Sequence, residues 1–234
     1  MTGDEILKVV KILVEYLVPT LKVFGFTLLY SVPLGMIVAL LKMCRIKPVS
    51  WLTNLYILIM RGTPLMLQVI VAYYAVPTLK SQDNLPSIIQ NILSNIDIKD
   101  ENYMFNAVLV AFVLNYAAYF AEIFRGGIES IPKGQYEAGQ VLGMTKTQVF
   151  FKVVLMQVVK HIIPPMSNEI ITLVKDTSLA RVIAIPEILM AAERFSGRGL
   201  IWPLFYTGVF FLVFNGVLTI LFNKIEKKFD YYKT

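Results

Sequence analysis

Four stretches of this chain carry no charged side chain: residues 23–41, 62–79, 103–121 and 200–222. Each is about 18 residues or longer, enough for a helix to cross a hydrocarbon core of roughly 30 Å at 1.5 Å per residue. A fifth apolar region, 150–174, is interrupted by Lys160, His161 and Glu169, and Pro164-Pro165 predicts a bend within it. The pattern predicts an all-α membrane protein with five transmembrane helices. No internal repeat and no low-complexity linker divides it, so residues 1–234 read as one transmembrane domain.

The polar segments between these runs have patterns of their own. In "LPSIIQNILSNI", within 80–102, Ile88, Ile89, Ile92, Leu93 and Ile96 recur at helical spacing opposite Gln90, Asn91, Ser94 and Asn95. This predicts a short amphipathic helix at the outer membrane surface, either lying there or meeting an external partner. The longest polar loop, about 129–150, sits between the third and fourth runs. "ESIPKGQYEAGQVLGM" predicts a short helix outside the membrane. Gly143 then allows a sharp turn, because glycine tolerates positive φ, and "TKTQVFFKVVLM" leads the chain back into the bilayer.

Composition agrees with this picture and narrows it. The chain is 56% hydrophobic and only 16% charged, where a soluble domain carries about a quarter charged residues. A signal peptide is excluded for the first run, because Asp4, Glu5 and Glu15 precede it and no small-residue cleavage site follows. Cys44 is the only cysteine, so neither an internal disulfide nor a thiolate metal site is available. The net charge of +6 comes with no nucleic-acid-binding motif. With the N-terminus outside, the inner segments hold 11 Lys and Arg against 9 in the outer ones. The tail "NKIEKKFDYYKT" adds Lys224, Lys227, Lys228 and Lys233 just past the last run. Basic residues favour the cytoplasm, which places the C-terminus there and the N-terminus outside.

The polar loop also resembles a known signature. Inner-membrane subunits of binding-protein-dependent ABC importers carry Glu-Ala-Ala, three residues, Gly, nine residues, Ile, one residue, Leu-Pro. Here Glu137-Ala138-Gly139 is followed by Gly143, then Val153, Leu155 and Met156. Gly139 replaces a second alanine, Val153 the isoleucine, and Met156 the proline. "RGTPLMLQ" (61–68), "NYAAYFAEIFRGGIESIPKGQYEA" (115–138) and "KDTSL" (175–179) are similar to the polar amino acid permease branch, of the histidine, glutamine or arginine type. The resemblance covers most of the chain from the second run onward.

That resemblance implies a type I importer permease in a bacterial cytoplasmic (inner) membrane. It implies two partner ATPase subunits, a second permease subunit as a homodimer or related heterodimer, an external substrate-binding protein, and no nucleic acid. ATP and Mg would sit on the ATPase; this chain has no G-x-x-x-x-G-K-[ST] loop of its own. No catalytic residue, metal or bound cofactor is expected here. Glu137, Ala138, Gly139 and Gly143 are implied to couple the loop to the ATPase.

Polar residues inside a bilayer face a bundle interior or a cavity. Asn115, Tyr119 and Glu122 fall on one helical face, as do Arg61, Leu65 and Gln68. Gln68, Asn115 and Tyr119 are candidates for the substrate pathway, where a zwitterion needs donors for its carboxylate and acceptors for its ammonium. Arg61 and Glu122 are assigned a structural role, tying helices together through hydrogen bonds worth about 0.6 kcal/mol each. Glu169 joins them, beside carbonyls freed by the double proline. The only histidine, His161, is read as a neighbour of Lys160 near an interface. The function expected is alternating access driven by a separate ATPase. A self-contained secondary transporter or channel is the alternative, although such carriers usually show an internal inverted repeat.

Overall fold

The computed structural model describes residues 3–82, 85–100 and 102–229. Lys233 of the basic tail lies outside them. Four of its helical stretches are long and apolar enough to cross a membrane, and a bent helix pair supplies a fifth crossing if counted as one.

The first helix, α1 (Gly3–Lys42), has 40 residues and is therefore about 60 Å long. It begins far ahead of the charge-free run at 23–41. Lys8, Lys11 and Glu15 disguise the first half as a polar segment, yet its apolar residues share a face. Val9 and Leu13 are buried against Ala191 and Ala192 of α9 (Ile188–Ser196). Arg194 of α9 donates to the Tyr16 hydroxyl at 2.9 Å. Glu187 caps α9, accepting from Leu189 N at 2.8 Å and Met190 N at 2.6 Å. Burial pushes its carboxyl above the usual range against the pull of those two N–H groups and of Arg181.

The second half of α1 packs along α5 (Tyr103–Glu129). Thr20, Thr27 and Ser31 are buried on its inner face, and Gly35 continues that row. Small residues let membrane helices approach closely. At Gly35 a Cβ atom would stand 2.7 Å from Phe120 Cβ and 3.0 Å from the Ala117 carbonyl. Helix α5 is the centre of the bundle: Phe112 and Phe120 are fully buried and Tyr116 nearly so. Around it pack α1, α2 (Lys47–Gly62), α3 (Leu65–Lys80) and α8 (Leu155–Asp176). The last helix, α10 (Trp202–Phe229), lies against α8 and α9 with most of its surface uncovered.

The run at 62–79, expected as one crossing, is α3 with its lead-in. Helix α3 joins α2 through a bend of 109° across Thr63-Pro64, so that the two helices together count as one crossing at most. Proline forces its predecessor out of the helical region, and Thr63 is extended, with φ −119° and ψ 148°. Between α3 and α5 lies α4 (Ser87–Ser94), the short amphipathic helix expected from the sequence.

The polar loop folds as α6 (Lys133–Val141), a turn, and α7 (Lys146–Val149). Gly143 has φ +72°. Thr145 and Gln148 cap α7 reciprocally: Gln148 N donates to Thr145 Oγ1 at 3.3 Å and Thr145 N to Gln148 Oε1 at 2.9 Å. Gly139 packs on Val149, where a Cβ would come within 2.4 Å of a valine methyl. Five residues of π-helix, Phe150–Val154, join α7 to α8 just before Met156. Helix α8 runs unbroken through Pro164 and Pro165, with the Ser167 hydroxyl donating to the Pro164 carbonyl at 2.7 Å. A 3-10 segment, Thr177–Ile183, leads to α9.

Gly35→Ala should destabilise the bundle by about 1–3 kcal/mol through overpacking, because the atoms it meets include backbone. Gly25→Ala, with nothing within 4 Å of its Cβ, should be neutral. Unfolding of the two detergent-solubilised variants beside the parent measures the difference.

Candidate functional site: a polar cavity at the broken crossing

The break leaves a specific gap in the backbone. In an unbroken helix the Met60 carbonyl would accept from residue 64, but Pro64 has no N–H. Two side-chain amides take its place. Asn115 Nδ2 donates to Met60 O at 2.9 Å, and Gln68 Nε2 donates to the same oxygen at 2.9 Å. Asn115 Nδ2 also reaches Gln68 Oε1 at 3.0 Å. Gln68 Nε2 further contacts Thr63 O at 3.2 Å and Thr63 Oγ1 at 2.8 Å. The two residues singled out from the sequence are thus brought together, and their amides are bonded to the break.

Beside this junction is a cavity of about 390 Å³. Thr63, Pro64 and Leu65 form one wall, Asn115, Tyr116 and Tyr119 of α5 a second, and Glu169, Thr172, Asp176 and Leu179 a third. Glu169 and Asp176 are seven apart, so α8 presents both on one face. The Tyr116 hydroxyl donates to Asp176 Oδ2 at 2.7 Å. The Arg61 guanidinium lies over the Tyr119 ring, 5.1 Å from its centroid, and its charge acts on Glu169. The N-terminus of α3 opens on the same space, placing the positive end of a helix dipole there. The cavity therefore offers the positive end of α3 on one side and two carboxylates on the α8 side, with Arg61 outside its lining, stacked on Tyr119.

Glu122 lies one turn further along α5. It forms ion pairs with Lys42 and with Arg125, whose Nη2 is 2.8 Å from Oε2; Arg125 also pairs with Glu129. Arg61, Lys42, Asn54 and Glu122 share a second, more open groove of about 490 Å³. Glu169 faces the cavity, while Ser167 makes the hydrogen bond beside the double proline. Thr172, Asp176 and Tyr116 were not picked as site residues from the sequence. The i, i+7 spacing of Glu169 and Asp176 in an apolar helix is the signal that marks the α8 pair.

On the polar loop, Glu137 and Ala138 are exposed and Gly139 is buried. The tip is apolar: Val141 is 87% exposed and Leu142 79%. Among the described residues no group of three or more His, Cys, Asp or Glu side chains is placed to hold a metal ion.

A helical membrane bundle with a broken crossing beside a charged cavity defines a permease, a protein that passes a solute instead of transforming it. The chain belongs to the family described as the binding-protein-dependent transport system inner membrane component, which matches residues 31–231. It is 33% identical over 223 residues to the L-cystine transport system permease protein TcyB of Bacillus subtilis, covering 94% of this chain and 86% of that one. It is 31% identical over 218 residues to the arginine transport system permease protein ArtQ of the same organism, covering 92% and 91%. A crystal structure of an amino acid ABC transporter with histidines superposes with a TM-score of 0.80 at 27% identity, covering 97% of this chain and 99% of that one.

The amide clamp is testable by itself. In a double-mutant cycle of Gln68→Leu and Asn115→Leu, the coupling energy should fall at about 0.6–1.7 kcal/mol, the range for polar pairs between membrane helices. Thermal or denaturant unfolding of the four proteins measures it, and strictly additive effects would separate the two amides.

Proposed function

We propose that this chain is the translocation subunit of an ATP-driven amino acid importer and that the cavity at the broken crossing holds the amino acid in transit. The observation that carries this reading is the charge arrangement around one space: the α3 N-terminus on one wall against Glu169 and Asp176 on another, with Arg61 stacked on Tyr119, which lines the space. A zwitterion fits such a site, its carboxylate toward the α3 N-terminus, its ammonium toward the α8 carboxylates. Discontinuous helices lining a site near the midplane are a recurrent way of binding charged solutes inside a bilayer. Asn115 sits near the middle of α5, which gives the cavity that depth. The curated relatives point to the same solute class, with transport systems for cystine and arginine among them.

Members of this family work with a separate ATPase and a binding protein. For this chain we assign the ATPase contact to α6 and the turn after it, the coupling loop of about 129–150. Glu137 and Ala138 are exposed, and Val141 and Leu142 offer apolar surface that water does not favour. Two ATPase subunits, carrying ATP and Mg, would close on two such loops, one from each of two permease subunits. The loop then lies in the cytoplasm, as does the C-terminus, with the N-terminus outside. ATP binding opens the cavity outward to receive the amino acid from the binding protein, and hydrolysis lets it relax inward.

Glu169→Gln keeps the size of the side chain while removing its charge and turning one acceptor oxygen into an NH2 donor. It should raise the half-saturation of uptake about tenfold to a hundredfold, the loss of a charged hydrogen bond, with the ATPase still bound. Uptake titrations over the common amino acids in reconstituted vesicles provide the check, and unchanged half-saturation for every transported solute would remove Glu169 from the site. Glu137→Lys reverses a charge on the α6 surface, and Gly143→Val places a β-branched residue at φ +72°, a strain of about 1–3 kcal/mol. Both variants should reach the membrane, lose the ATPase on pull-down and lose transport. Wild-type ATPase retention and uptake in both would take coupling away from this loop.

A further inference from the structure

The opposite side of the Gln68 amide borders a different kind of space. Two cavities, of about 520 and 440 Å³, lie between α3 and α5. They share the lining residues Ala72 and Val110, so they adjoin as the upper and lower parts of one trough. Its lower part is apolar and ends on Leu114 and Gln68 at the depth of the broken crossing. Its upper part is bordered by Asp97 and Asp100, in the segment that follows α4. Val110, on its wall, is exposed and belongs to α5, a helix long and apolar enough to cross a membrane.

Helix α4 sets the level of the upper mouth. It comes next after α3 in the chain, and Lys80 Nζ at the end of α3 donates to the Ile96 carbonyl, tying the segment after α4 to α3. Leu93 is buried, whereas Ile88 is 73% and Ile92 60% exposed. The helix has no charged residue. An uncharged amphipathic helix tied to the end of a membrane-crossing helix lies in the headgroup zone with its apolar face in the acyl boundary. The mouth beside it is therefore at headgroup level, and the trough below it at acyl level.

The charges at the mouth are also arranged for a ligand of mixed sign. Asp97 Oδ1 accepts from Lys99 N at 2.8 Å and Asp100 Oδ1 from Asn102 N at 2.9 Å, bonds that shape the loop. Among the described residues the bonds of both carboxylates go to Oδ1, which leaves each Oδ2 for another donor. The Lys80 ammonium is held at Ile96, itself part of the mouth.

We propose that the trough binds one phospholipid of the leaflet on the α4 side, with an acyl chain along Ala72 and Val110 and an ammonium-bearing headgroup at the mouth. The ammonium is held by Asp97 and Asp100, and the phosphate by Lys80. A headgroup without an ammonium keeps its phosphate contact with Lys80 but brings no positive charge to the two carboxylates, and binds less well. This site is separate from the amino acid cavity and does not depend on what passes through it.

The test uses the full-length chain purified from membranes in an uncharged detergent. Thermal unfolding is followed while phosphatidylethanolamine or phosphatidylglycerol of the same short acyl length is added. Phosphatidylethanolamine should raise the Tm saturably, with phosphatidylglycerol about tenfold weaker for want of the charged hydrogen bond. Val110→Trp, which fills the trough, should abolish the response to both lipids. Asp97→Asn with Asp100→Asn should keep the response and make the two lipids equal. Equal responses in the parent protein, or an unchanged response in Val110→Trp, would overturn the proposal. So would no response to either lipid, the outcome expected if a second permease subunit covers the trough. If Val110→Trp does not fold, the doubly substituted carboxylate variant decides alone: retained preference for phosphatidylethanolamine would contradict the assignment.

Discussion

Inside a bilayer a backbone carbonyl without a hydrogen-bond donor costs several kcal/mol, since no water is there to replace it. Pro64 creates such a carbonyl at Met60 and forces the chain to turn at Thr63. The rest of the site follows from how that single vacancy is filled. Asn115 and Gln68 both donate to the Met60 oxygen, and Asn115 Nδ2 also donates to Gln68 Oε1. The repair fixes α3 against α5 in one register. That register brings the α3 N-terminus and Tyr119, with Arg61 stacked on its ring, to the cavity whose far wall is Glu169 and Asp176 on α8. A crossing left whole would place continuous helix where the cavity now has an accessible backbone turn and a helix dipole.

Helix α5 makes this arrangement rigid. One face accepts α1 so closely that Gly35 has no room for a Cβ. Another carries Asn115, Tyr116 and Tyr119, and one turn on, Glu122 binds Lys42 and Arg125. Close packing and charge thus meet on a single element. The mobile part of a transport cycle has to be found around α5, not within it. The polar loop is the part we assign to the ATPase contact. It has a tight Gly139–Val149 contact at its base, a glycine in left-handed conformation at its turn, and an apolar tip turned outward.

Much of this was legible in the sequence, and the exceptions have physical causes. Hydropathy located the long helices because lipid-facing residues must be apolar along the whole crossing. It also made 62–79 look like a complete crossing, because α3 is itself an unbroken apolar helix; the local sign of its bent junction with α2 was Thr63-Pro64. The first half of α1 was hidden by Lys8, Lys11 and Glu15, since its buried face, Val9 and Leu13, is narrow. The helical spacing of Asn115, Tyr119 and Glu122 was visible, but what each one touches is a tertiary matter. Glu122 reaches Lys42 from 80 residues away in sequence. Asn115 reaches a carbonyl that only the broken geometry exposes. Asp176 lay in plain sight within "KDTSL", but its bond to Tyr116 requires α8 to be packed on α5. The family resemblance was readable from short motifs because those motifs coincide with the break, the α5 face and the polar loop.

The central claim is that the space beside the broken crossing opens alternately to the two sides of the membrane and holds the amino acid in between. The most direct measurement uses Thr172→Cys in a Cys44→Ser background, assembled with its ATPase in vesicles and exposed to a membrane-impermeant thiol reagent from one side at a time. The account predicts labelling from the cytoplasmic side without ATP, labelling from the outer side with ATP bound, and protection by the transported amino acid in either state. Labelling from the same side in both nucleotide states, unaffected by any amino acid, would contradict it.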